Sequence, residues 1–78
     1  MIMNRTKNEI KAKITLAGFT MHETLEHLHR KYGWSDSASN LSNKLQRDSL
    51  RYREVLELAD VIGYDLIWKP RKREQAHE

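Results

Sequence analysis

Apolar residues recur along this chain at helical spacing in four separate stretches. Ile10, Ile14 and Ala17 form the first stripe and Met21, Leu25, Leu28 and Tyr32 the second. Ala38, Leu41 and Leu45 form the third, and Val55, Leu58, Ala59 and Ile62 the fourth. Residues that start and stop helices bound these stripes. Thr6 with Glu9, and Thr20 with Glu23, have capping-box spacing, in which a hydroxyl and a carboxylate satisfy amides that a helix start leaves open. Gly18, Gly33 and Gly63 follow the first, second and fourth stripes, where a residue without Cβ turns cheaply into the left-handed region. Ser35 or Asp36 is the expected N-cap of the third helix, read over 36–46, and the fourth starts between Leu50 and Tyr52. The pattern predicts an all-α fold, with Phe19 and Trp34 tucked under the first two turns.

The end of the chain breaks this rhythm. Tyr64, Leu66 and Trp68 alternate with Asp65 and Ile67, which predicts a short extended segment, and Pro70 limits its continuation. Residues 71–78 are too charged to fold alone. The expected organisation is therefore one domain over 1–70 and a basic, disordered tail over 71–78.

Composition narrows the possibilities. The chain has 78 residues, enough for one small domain with a modest core. It contains no Cys, so disulfides and thiolate metal sites are excluded. No apolar run reaches the ~20 residues of a membrane span, and Met1–Arg5 lacks a signal-peptide core, so a cytoplasmic protein without membrane association is expected. His22 and His27 flank a glutamate in a way that imitates a zinc-protease motif. At i and i+5, however, they diverge by ~140° on a helix, so neither a metal nor a cofactor is expected. With no Cys nucleophile, no Gly-rich phosphate loop and no serine in a nucleophile setting, an enzyme is not expected either.

The formal charge of +3 matters through its placement. Between residues 30 and 53, Arg30, Lys31, Lys44, Arg47, Arg51 and Arg53 face only Asp36 and Asp48, and Lys69-Pro70-Arg71-Lys72-Arg73 forms a second basic run. Clustered cations of this kind fit a polyanionic partner. The second run reads equally as a DNA-contacting arm or as a solubilising tail. The outward face of the third helix carries Ser39, Asn40, Asn43 and Arg47. Asn and Ser weaken a helix relative to Glu and Lys, but they offer short directional donors and acceptors of the kind that read base edges. Local capping of backbone groups is the plainer use of the same residues.

The string Asn40-Leu41-Ser42-Asn43-Lys44-Leu45-Gln46-Arg47-Asp48, followed by an apolar helix to Ile62 and Gly63, resembles the recognition-helix region of lambda-repressor/Cro-like (XRE-type) regulators. The resemblance covers roughly residues 6–68. It implies a compact four-to-five-helix helix-turn-helix domain that binds double-stranded DNA as a small transcriptional regulator. It also implies base contacts from Ser37, Ser39, Asn40 and Asn43, and phosphate contacts from Thr20, Lys44, Arg47, Arg51 and Arg53. A domain this small needs a second copy for tight binding. The surplus apolar residues Leu56, Val61, Ile67 and Trp68 are the expected homodimer surface. With no second domain, no small-molecule effector is expected. The chain departs from the family pattern in two places. The spacing from Thr20 to Gly33 is longer by about one helical turn, and Arg51 stands where Ser often caps the fourth helix. The alternative reading is a protein-interaction module or antitoxin-like adaptor on the same scaffold.

Overall fold

The computed structural model describes residues 5–72. Within them the chain is all-α, with four helices: α1 (Arg5–Leu16), α2 (Met21–Tyr32), α3 (Ala38–Gln46) and α4 (Tyr52–Ile62). No strand occurs among the described residues, and residues 64–72 follow α4 without regular structure. No helix among them is long and apolar enough to cross a membrane. Of the expected tail, Arg71 and Lys72 are exposed, while residues 73–78 lie outside the described part.

The core is built from the predicted stripes. Ile10 and Ile14 of α1, Leu25 and Leu28 of α2, Leu41 and Leu45 of α3, and Leu58 and Ile62 of α4 form one buried cluster. Phe19, Met21, Trp34, Val61 and Tyr64 pack around it. α2 is the central element, packing against α1, α3 and α4. Its one buried polar side chain, Thr24, donates its hydroxyl to the Thr20 carbonyl at 2.9 Å, so no unpaired group enters the core.

Helix ends explain most departures from the expected boundaries. Thr20 caps α2 as expected: its hydroxyl accepts from the Glu23 amide at 3.0 Å and its own amide donates to the Glu23 carboxylate at 2.9 Å. Thr6, by contrast, lies inside α1, because the helix already runs from Arg5. The cap of α3 is Ser37, not Ser35 or Asp36. The Ser37 hydroxyl accepts from the Asn40 amide at 3.3 Å, and the Ser35 hydroxyl is used one step earlier, accepting from the Ser37 amide at 3.2 Å. Starting at Ala38 leaves that residue exposed and outside the predicted stripe. Tyr32 also leaves its predicted stripe. It is 39% exposed, and its hydroxyl donates to the Asp60 carboxylate at 2.7 Å.

At the other ends, the left-handed residue after α3 is not glycine. Asp48 takes φ +56° there, and the Ser49 and Asp48 amides close back on the Lys44 and Leu45 carbonyls at 2.9 and 3.2 Å. This is the paired closure seen with Gly63 after α4, where the Tyr64 and Gly63 amides return to Ala59 and Asp60. Asp tolerates the left-handed region better than most residues with a Cβ, which is why it substitutes for glycine here.

Candidate nucleic-acid interface

The nine residues of α3 divide into two faces. Leu41 and Leu45 are buried against the core, Leu45 completely. Ser39 and Asn43, one helical turn apart, are exposed on the opposite side, and the Arg47 side chain, at the C-cap, is exposed beyond them. Asn40 is also exposed, beside this row. The core therefore dictates which polar heads point outward.

The predicted contact residues differ in how free they are. The side chain of Asn43 has no hydrogen-bond partner among the described residues. Asn40 donates from Nδ2 to the Ser35 hydroxyl at 3.2 Å, which orients the amide and leaves its oxygen available. Ser37 is half-buried and its oxygen serves the cap, so its hydroxyl is largely consumed by the fold. The Thr20 hydroxyl is similarly engaged in its capping box. Among the cations, Arg47 and Arg51 are exposed and form no ion pair among the described residues. Arg53 meets Glu57 only loosely, at 3.9 Å, with its own side chain 74% exposed. Lys44 is turned inward. Its ammonium meets Glu54 at 2.5 Å and lies 5.6 Å from the centre of the Trp34 ring.

Sequence reasoning missed the acids behind this arrangement. Glu54 accepts from Lys44 through one oxygen and from the Arg51 amide, at 2.9 Å, through the other. Arg51 has no side-chain acceptor for capping, so Glu54 supplies the carboxylate half of a capping box alone. Glu57 accepts from the Trp34 indole at 2.8 Å, while His29 Nδ1 lies 2.6 Å from the Trp34 carbonyl and donates to it. Residues 33–37, the link between α2 and α3, are thus pinned to both α2 and α4. Trp34, Lys44, Glu54 and Glu57 line a cleft of about 310 Å³ that also includes Asn40. The one sequence signal was the spacing of Glu54 three residues after Arg51.

Partial burial pushes the Glu54 carboxyl up, but the Arg51 amide and the Lys44 ammonium outweigh it and hold the group below its ordinary value. A depressed carboxylate stabilises the fold above its unfolded pKa and loses that contribution as pH falls through the folded value. Glu54→Gln is therefore expected to cost about 1 kcal/mol at pH 7, a modest figure because the Lys44 side chain, though turned inward, keeps partial contact with water. The deficit should shrink as pH drops below about 4.5. Urea titrations of both proteins at pH 7 and pH 3 check this, and an equal deficit at both would remove the ion pair as the cause.

The remaining predicted residues lie on and after α4. Leu56 is 39% exposed, and Ile67 and Trp68 are about 80% exposed. Val61 is half-buried and packs on the chain's own core. Trp68 donates its indole N–H to the Tyr52 hydroxyl at 2.9 Å, with ring centres 6.3 Å apart. No group of three His, Asp or Glu side chains placed to hold a metal occurs among the described residues.

Comparison with protein-family models, with curated proteins and with solved structures returns no match. The functional reading accordingly rests on the geometry of α3 and its surroundings.

Proposed function

We propose that this chain is a sequence-specific double-stranded DNA-binding domain of the lambda-repressor-like helix-turn-helix kind, acting as a small transcriptional regulator in the cytoplasm. The observation that carries the reading is α3. A short helix, fixed by two buried leucines, presents exposed Ser39, Asn40 and Asn43, with Arg47 unpaired at its end. In this reading α3 lies in the major groove, where asparagine pairs in bidentate fashion with adenine. Arg47, Arg51 and Arg53 hold the flanking phosphates. Lys44 contributes less than the sequence implied, because Glu54 neutralises it. The link over residues 33–37 is longer than the usual three-to-four-residue turn, and its anchorage to Glu57 through Trp34 fixes how α3 projects.

Binding would be as a homodimer on half-sites about 34 Å apart. Leu56 and Ile67 offer the exposed apolar surface for the contact. The binding test is a salt series on random duplex DNA. Log affinity is expected to fall steeply and linearly with log salt, and no measurable binding near 50 mM salt, well below the physiological range of about 150 mM, would sink the reading. Sedimentation of Ile67→Lys beside the parent checks the dimer, and an unchanged mass would exclude this surface.

A protein-interaction module is the second reading, favoured by the exposure of Leu66, Ile67 and Trp68. It predicts that the parent ignores DNA at every salt concentration.

A further inference from the structure

The C-terminal basic run does not leave the domain where α4 ends. After Gly63 the chain reverses, and residues 64–67 line a groove together with Val55, Ala59 and Ile62 of α4 and Ile10 of α1. At its far end Trp68 reaches Tyr52, the first residue of α4, through the 2.9 Å indole-to-hydroxyl hydrogen bond. Lys69 joins Tyr52, Leu66, Ile67 and Trp68 in lining one small surface hollow. The segment has thus run back along the whole of α4.

The consequence lies in what flanks Tyr52. Arg51 and Arg53 are its sequence neighbours, and Arg47 is at the C-cap of α3 just before them. The clasp therefore brings Lys69 beside Tyr52, at the end of α4 that carries Arg51 and Arg53, and Arg71 and Lys72 follow it within three residues. All six cations are exposed. The nearby acids do little to offset them. Glu54 is taken by Lys44, Glu57 sits 3.9 Å from Arg53, and Asp48 and Asp65 make no ion pair among the described residues. An excess of like charge at this end of α4, only partly offset by Glu57, is unfavourable for the free protein, and a phosphate backbone relieves that repulsion.

We infer that residues 69–72 form a phosphate-binding arm, held by the Trp68–Tyr52 clasp, that extends the duplex-DNA contact beyond the end of α3. The inference rests on the DNA-binding reading and adds a second site to it. It also gives Trp68 a role within its own chain. The arm reads no bases. It adds affinity and salt dependence without altering sequence preference.

The experiment compares the parent with a Lys69→Gln/Arg71→Gln/Lys72→Gln variant and with two clasp variants, Tyr52→Phe and Trp68→Phe. Each is titrated with a selected duplex, a random duplex and a single strand of equal length between 50 and 200 mM salt. Each phosphate contact contributes about 0.9 to the salt slope on duplex DNA, so loss of three lowers it by about 2.7. Over that fourfold salt range the parent should lose roughly 40-fold more affinity than the triple variant. Tyr52→Phe and Trp68→Phe should each lower the slope by at least about 0.9, and all variants should keep the parent's ratio of selected to random affinity. A triple variant with the parent's slope would overturn the arm. Clasp variants with the parent's slope would overturn its placement, and a slope change confined to single strands would overturn its assignment to duplex. If the parent binds no duplex at all, the DNA reading itself fails, an outcome distinct from the other three.

Discussion

Leu45→Ala is expected to be the most destabilising single truncation on α3, costing about 2–5 kcal/mol. Leu45 is completely buried and belongs to the central apolar cluster. Removing its branched end loses the transfer free energy of the methine and the two methyl groups. It also leaves a cavity that the surrounding helices close only in part. Domains of this size have total stabilities near the low end of about 5–15 kcal/mol, so much of the folded population is at stake. Each kcal/mol moves the melting temperature by about 4–8 °C in a chain this short, which predicts a fall of roughly 8–40 °C. Urea titration followed by circular dichroism measures it. A loss below about 1 kcal/mol would mean that α3 is not seated on the core as described, and the division of its faces would fall with it.

Asn40→Ala/Asn43→Ala should have the largest effect on recognition. Each bidentate base contact discriminates by about 1–3 kcal/mol, so the double variant should lose at least about 30-fold of its preference for a selected duplex over a random one. The salt slope should stay where it was, because no cation is removed. Folding is not expected to suffer, since alanine favours helix more than asparagine and neither side chain enters the core. Asn40→Ala also releases the Ser35 hydroxyl, which is exposed and finds water. Parallel titrations of both duplexes provide the check. Retained preference in a normally folded variant would move recognition away from this face of α3.

Most of the fold was legible because apolar periodicity and glycine punctuation agree. The stripes of α1 and α4, that of α2 except at Tyr32, the Thr20 capping box and the left-handed Gly18, Gly33 and Gly63 stand where the pattern put them. The start of α3 was less legible because Ser35, Asp36 and Ser37 are all competent caps. The winner is decided by hydrogen bonding among Ser35, Ser37 and Asn40. Tyr32 and Lys44 were misjudged for a shared reason. Each has a polar head whose partner, Asp60 or Glu54, lies on α4, and sequence spacing does not reveal pairing between helices. The clasp between Tyr52 and Trp68 was hidden in the same way, since it depends on the chain reversing after Gly63.

The central place of α2 bears on how the chain folds. α2 packs on both its neighbours in sequence, and its third partner, α4, arrives only one helix later. Of the four main helix pairings, two join sequence neighbours and the other two, α2 with α4 and α1 with α3, skip a single helix, so every closure is of modest length and costs modest chain entropy. A topology dominated by such local pairings belongs with helical bundles that fold in microseconds to milliseconds. Its transition state would be organised around α2, with Leu25 and Leu28 near native packing while α4 is still docking. Destabilising changes on the outer face of α4 should then act mainly on the unfolding rate, leaving the speed of assembly to the helix at the centre.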